Sequence, residues 1–66
     1  MQVIVNGKPR EAHEGLTVLA LLGELKLNSQ TTVVELNRTV LDRESFGVKE
    51  LSDGDRLELV RLVGGG

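Results

Sequence analysis

The first twelve residues alternate apolar and polar stretches around a turn signal. Residues 2–5 read Gln-Val-Ile-Val, which is typical of a strand, and Asn6-Gly7 follows at once. Asn-Gly favours a type I′ turn because both central residues of that turn need a positive φ. We therefore predict a hairpin in which residues 8–12 form the returning strand. Pro9 cannot donate a hydrogen bond to a ladder, so this strand is predicted to lie at the edge of the sheet.

The next apolar pattern has helical spacing. Apolar side chains recur at i, i+3, i+4 and i+7, namely at Val18, Leu21, Leu22 and Leu25. Thr17 is the predicted N-cap of a helix over about 18–25, and Lys26 suits the dipole at its end. Asn28 is predicted to form the turn that ends this helix. Because the helix is short and contains Gly23, which costs about 0.5–1 kcal/mol relative to alanine, it must be held by packing against a sheet.

The second half of the chain returns to strand spacing. Residues 31–36 are rich in β-branched side chains and predict a third strand. By period-two alternation, Glu35 points to solvent while Val34 and Leu36 point inward. A turn then leads into a short segment at 39–41.

The last predicted strand covers residues 56–63 and follows a strong turn at 52–55. Its alternation places Leu57 and Leu59 toward the helix. The stretch before the turn looks irregular, and Phe46 is its predicted anchor in the core.

The predicted order of elements is β-β-α-β-(β)-β, which indicates an α+β roll. The first and last strands are strongly hydrophobic, so both are predicted to be central, and as neighbours they would run parallel. One helix then covers one face of a mixed sheet of four to five strands.

Composition narrows the function. A chain of 66 residues is one small domain with little room for a catalytic pocket, and without cysteine it has no disulfide or thiolate. The net charge of −2 and the single aromatic residue, Phe46, argue against nucleic-acid binding. No apolar run approaches the roughly 20 residues that span a bilayer, and no signal peptide opens the chain. We expect a cytoplasmic protein that is a monomer on its own, without membrane or nucleic-acid partners, and not an enzyme.

Polar residues that carry chemistry elsewhere have simpler interpretations here. His13 has no second metal ligand nearby in the sequence, so it is interpreted as a solvated turn residue. Asp53 and Asp55 are interpreted as turn residues rather than as a catalytic carboxylate pair.

The chain resembles the β-grasp, or ubiquitin-like, fold, and within it the ThiS-type sulfur carriers of thiamine biosynthesis. The matching pieces are Val5-Asn6-Gly7, residues 14–18 leading into Leu21-Leu22, residues 34–37, Asp53-Gly54-Asp55 and the terminal residues 63–66. A Gly-Gly ending directly after a β-rich strand is the most specific of these. Two turns depart from the pattern, since Lys26 and Arg38 stand where related carriers often have glycine or a small residue.

The resemblance implies a division of the chain into a β-grasp domain, residues 1–63, and a flexible functional tail, residues 64–66. It implies that a ThiF-like partner adenylates the C-terminal carboxylate of Gly66 with ATP, and that the adenylate becomes a thiocarboxylate that donates sulfur. Gly64 and Gly65, without side chains, would thread into partner active sites. Further implied partners are a cysteine desulfurase or sulfur relay protein and a ThiG-like thiazole synthase. ATP and Mg²⁺ would be bound by the adenylating partner, and no cofactor or metal by this chain.

A partner-binding surface is predicted on the open face of the sheet. Alternation places Ile4, Val33, Val60 and Leu62 on the face opposite the helix, where they could form one apolar patch. The alternative is that the chain's own loops cover some of these side chains, or that they are singly exposed.

Three other functions stay open on the sequence. The chain could carry sulfur for molybdopterin, for tRNA thiolation or for cysteine synthesis. It could be a ubiquitin-like modifier whose Gly66 joins lysines, or a plain binding module with an inert tail. Conjugates linked to lysine would favour the modifier, and full activity after removal of Gly65 and Gly66 would favour the binding module.

Overall fold

A computed structural model describes residues 1–63, which form one sheet and one α-helix. The elements are β1 (Gln2–Val5), β2 (Lys8–Glu11), α1 (Val18–Glu24), β3 (Thr32–Leu36), β4 (Thr39–Val40), a 3₁₀ turn (Arg43–Ser45) and β5 (Arg56–Arg61). They follow the predicted order, and the short segment after β3 is a true strand. The α+β roll is confirmed.

The sheet has five strands in the order β2-β1-β5-β3-β4. β5 lies at its centre, parallel to β1 and antiparallel to β3. β2 forms one edge of the sheet, and its Pro9 pairs with Ile4 of β1. The edge position suits Pro9, because proline has no amide proton to donate to a further strand. The central, parallel placement of the first and last strands is therefore confirmed.

Two type I′ turns shape the hairpins. Asn6 and Gly7 have φ of 50° and 81°, and they connect β1 to β2. Asn37 and Arg38, with φ of 50° and 71°, connect β3 to β4. Positive φ at both central residues matches the right-handed twist of the strands, so the second turn keeps this geometry despite the arginine side chain.

The core lies between α1 and the inner face of the sheet. The helix buries Val18, Leu21 and Leu22, and the strands bury Val3, Val34, Leu36, Leu57 and Leu59 against it. Phe46 is buried below the loop that follows β4, which confirms it as the anchor of that loop. The inward and outward alternation predicted for β3 and β5 is confirmed. β5 ends at Arg61, two residues before the predicted end. Its partner there is Thr32, which is the first residue of the antiparallel strand β3.

The start of α1 is as predicted, but its end is different. Thr17 accepts a hydrogen bond from the Ala20 amide at 3.1 Å and is the N-cap. At the other end, Lys26 has a φ of 59°, and its amide donates to the carbonyl of Gly23 at 3.1 Å. The Leu27 amide donates back to Leu22 at 2.9 Å, which completes a Schellman motif. The left-handed residue that ends the helix is thus Lys26, two residues before the predicted Asn28.

Replacing Lys26 with glycine is expected to stabilise the protein. A residue with a Cβ in the left-handed region costs about 1 kcal/mol more than glycine does. Lys26→Ala is the matched control, because it removes the charge and keeps the Cβ. We expect the glycine variant to exceed the alanine variant by about 1 kcal/mol in the free energy of unfolding by urea. Equal stabilities of the two variants would show that the strain is absent.

Candidate functional site

The strand that leads to the terminal glycines is held from both sides by turn asparagines. The Asn6 side-chain oxygen accepts a hydrogen bond from the Leu59 amide at 2.8 Å. On the other side, the Asn37 side-chain oxygen accepts one from the Arg56 amide at 3.0 Å. Both asparagines also donate their own backbone amides to β5, at Leu57 and Arg56. The turn residues that shape the hairpins therefore also fix the position of β5.

The acidic turn at residues 52–55 also helps to fix the position of β5. The Asp55 carboxylate accepts hydrogen bonds from the Ser52 amide at 2.7 Å and from the Asn37 side chain at 2.9 Å. The Asp53 carboxylate accepts one from the Gln2 amide at 2.8 Å. Both carboxylates thus accept hydrogen bonds that shape the turn, which confirms their interpretation as turn residues.

The fold holds the chain as far as Leu62. The Leu62 amide donates to the Thr31 carbonyl at 2.7 Å, one step beyond the last ladder pair of β5. Val63 follows with its side chain exposed. Gly64, Gly65 and Gly66, which the family resemblance implies are the reactive tail, lie outside the described residues.

The predicted apolar patch is only partly assembled on the open face of the sheet. Val33 lies directly opposite Val60, and Val60 and Leu62 are 56% and 53% exposed. Ile4 is paired with Arg56 instead, four residues before Val60 along β5, and like Val33 it is partly buried. The structure therefore brings Val33, Val60 and Leu62 together and leaves Ile4 apart.

Two further features of this face were missed by sequence reasoning. Val40, on β4, is 62% exposed and pairs with Glu35, so it lies on the same face. Glu35 itself lies directly opposite Glu58. Residues 1–63 contain two ion pairs, Met1–Glu11 and Arg10–Glu24, so neither Glu35 nor Glu58 takes part in one. Only the register of the strands reveals this pair of glutamates.

We use the name sheet patch for the outward-facing side chains on this part of the sheet. It consists of four apolar residues and the two glutamates beside them, namely Val33, Val40, Val60, Leu62, Glu35 and Glu58.

His13 is exposed, and its Nδ1 lies 3.0 Å from the Glu14 carbonyl oxygen. Within residues 1–63, no three His, Cys, Asp or Glu side chains are placed to hold a metal ion together.

None of the helices in the described part of the chain has the length and apolar character needed to cross a membrane.

Comparison with known families bears on the whole chain, including the glycines. The family model described as the ThiS family matches residues 3–66. The chain belongs to the ThiS family. A crystal structure of the ThiS-family thiamine biosynthesis protein from Geobacter metallireducens superposes with a TM-score of 0.85 at 42% identity, and the match covers 100% of both chains. The predicted β-grasp fold is confirmed.

Two relatives of this ThiS-family chain differ in size. The sulfur carrier protein ThiS of Bacillus subtilis is 36% identical over 50 residues, which are 76% of each chain. The thiazole synthase of Paramagnetospirillum magneticum is 39% identical over 66 residues, which are 100% of this chain and 20% of that protein. The chain thus spans about a fifth of the length of that enzyme. A ThiS-like region therefore occurs within a protein named as a thiazole synthase.

Proposed function

We propose that this chain carries sulfur for thiamine biosynthesis, as a thiocarboxylate on Gly66. The observation that carries this proposal is the ThiS-family match, which runs through to residue 66 and so includes the glycines. The fold supports it, because β5 is tied to both neighbouring strands and delivers the chain at Leu62 in a fixed place. The chain is then a substrate of partner enzymes rather than an enzyme.

The chemistry requires activation of the carboxylate. A carboxylate resists nucleophiles, so the Gly66 oxygen first attacks the α-phosphate of ATP and displaces pyrophosphate. Sulfide then attacks the carbonyl carbon and displaces AMP, so that a C–S bond replaces the C–O bond of the adenylate. Where the sulfur arrives as a persulfide, the same attack gives an acyl disulfide, and a thiol must reduce its S–S bond to release the thiocarboxylate. No side chain of this chain acts as an acid or base in either step. Gly64 and Gly65 lack a Cβ, which suits a narrow channel in the partner.

The family resemblance implies three partners for this chemistry. A ThiF-like enzyme binds ATP and Mg²⁺ and forms the adenylate, a cysteine desulfurase or relay protein supplies sulfur, and a thiazole synthase receives it. The thiazole synthase that includes a ThiS-like region supports the last of these. We propose that the reaction takes place in the cytoplasm. Four residues follow Leu62, and a chain of that length extends at most about 14 Å, so the adenylating site must lie close to the bound carrier.

The test is the intact mass of the chain after incubation with the adenylating enzyme of the same organism, Mg-ATP and sulfide. We expect one terminal oxygen to be replaced by sulfur, with a mass gain equal to the difference between those atoms. Omission of ATP is the control. An unchanged mass, with an enzyme preparation that modifies the Bacillus subtilis carrier, would contradict the proposal.

Replacing Val60 with aspartate is expected to weaken recognition by the adenylating enzyme. Val60 is at the centre of the sheet patch, and an added carboxylate there would lose its hydration when a partner covers it. We expect KM for the carrier to rise at least about tenfold, equivalent to about 1.4 kcal/mol, with little change in kcat.

The control for this change is Val48→Asp. Val48 is 79% exposed and lies in the loop that packs on the start of α1, away from the sheet patch. Both variants are expected to keep the wild-type circular dichroism spectrum. The same KM in both variants would show that the sheet patch is not part of the interface with the adenylating enzyme.

A further inference from the structure

The pairing of Glu35 with Glu58 is unfavourable for the isolated fold. Directly opposite residues on antiparallel strands have Cβ atoms about 4.5–5.5 Å apart, and like charges in these positions destabilise a sheet. Arg56 precedes Glu58 by two residues on the same face, but it forms no ion pair with either glutamate. Neither carboxylate therefore has an ion-pair partner within residues 1–63, and both lie on an exposed sheet face.

Apolar side chains adjoin this pair on two sides. Val60 and Val33 form the next pair of residues on the same face, and Val40 flanks Glu35 on β4. The sheet patch is thus an apolar surface with two negative charges side by side. The sheet patch is therefore complementary to a partner surface that combines apolar side chains with a positively charged one.

We propose that the sheet patch binds the adenylating enzyme through an arginine or lysine of that enzyme, which lies between Glu35 and Glu58 while apolar side chains cover Val60 and Val33. This inference rests on the proposed function for the identity of the partner. The planar, five-donor guanidinium of arginine suits two neighbouring carboxylates best. The repulsion between the glutamates is relieved only in the complex, so it contributes to the affinity.

The same charges argue against other occupants. A second copy of this chain would bring two further glutamates against the pair, so a homodimer through the sheet patch is disfavoured. Nucleic acids and anionic membranes carry negative phosphates, which the pair repels. A basic protein surface is the partner that gains from both the charges and the apolar side chains.

The test is the double variant Glu35→Gln/Glu58→Gln, which keeps the shape of the side chains and removes both charges. The matched control is Glu44→Gln/Glu50→Gln, which changes the net charge equally at exposed positions outside the sheet patch. The readouts are the KM and kcat of adenylation, from pyrophosphate release at low and moderate salt, and the Kd for the ATP-free adenylating enzyme. We expect the first variant to raise KM and Kd roughly tenfold at low salt with kcat unchanged, and to lose most of the salt dependence. The control is expected to stay within about twofold of the wild type.

A second variant separates binding from folding. Glu58→Lys places an opposite charge across from Glu35, so it is expected to raise the urea midpoint of unfolding while it weakens binding further. A purely structural role of the glutamates cannot produce both effects.

The outcomes distinguish this inference from the proposed function. If the glutamine variant binds and reacts like the wild type, the inference is overturned and the sulfur-carrier proposal stands. If the variant loses affinity but the wild-type complex forms no adenylate, the binding surface is supported and the proposed chemistry falls. A wild-type chain that does not bind the enzyme, or that elutes as a dimer dissociated by the glutamine changes, would overturn the inference.

Discussion

Removal of Gly66 is expected to abolish sulfur transfer and to leave the fold unchanged. The shortened chain still ends in a carboxylate, but this group is one residue, about 3.5 Å, short of its reactive position. A misplacement of about 1 Å already costs about 100-fold in rate, so the loss is expected to exceed that factor. The measurements are the initial rate of adenylate formation and the intact mass after sulfide treatment.

The fold provides the control for this prediction. The described structure is tied together by contacts within residues 1–63, so the urea midpoint of the shortened chain is expected to equal that of the wild type. Gly65→Ala tests the narrow channel separately, and Gly47→Ala is its matched control. A Cβ at Gly47 would meet the Leu19 side chain at an ordinary 3.7 Å. Adenylation of the shortened chain at the normal rate would contradict the prediction, because it would show that the reactive carboxylate need not stand at position 66.

Leu22→Ala is expected to unfold a large share of the molecules. Leu22 is fully buried in the core of a domain of 66 residues, and its truncation costs about 2–5 kcal/mol. At about 0.05–0.15 kcal/mol per residue, the whole domain is stable by only about 3–10 kcal/mol. The loss is therefore comparable to the total, and the variant is expected to show a broad or shifted urea transition by circular dichroism.

Leu19→Ala is the matched control within the same helix. Leu19 is 45% exposed, so the same change of side chain removes less buried surface and is expected to cost less than about 1 kcal/mol. Equal losses for the two leucines would contradict the assignment of the buried helix face.

Local signals were sufficient to predict most of the fold. A type I′ turn needs positive φ at both central residues, and Asn6-Gly7 tolerates this at little cost, so the first turn could be assigned directly. Thr17 has the side chain of an N-cap and stands immediately before a helical apolar pattern. The strongly apolar first and last strands indicated the parallel centre of the sheet. In each case a short stretch of sequence contains the physical cause of the structure.

Other features depend on residues far apart in the chain and could not be predicted. Lys26 and Arg38 adopt positive φ because packing and strand pairing impose it, although their own preference is against it. The separation of Ile4 from Val60, and the meeting of Glu35 with Glu58, follow from the register of paired strands. Alternation predicts which face a side chain occupies, but not its neighbours across the sheet.

The parallel pairing of β1 with β5 also determines when the protein folds during synthesis. The centre of the sheet cannot form before Arg56 is available to pair with Ile4. The elements made earlier are not stable on their own, because they are a two-stranded hairpin and a seven-residue helix. A nascent chain therefore stays unfolded on the ribosome until β5 has emerged. The first strand therefore stays unpaired with its central neighbour through most of synthesis, and the domain folds as one unit rather than element by element.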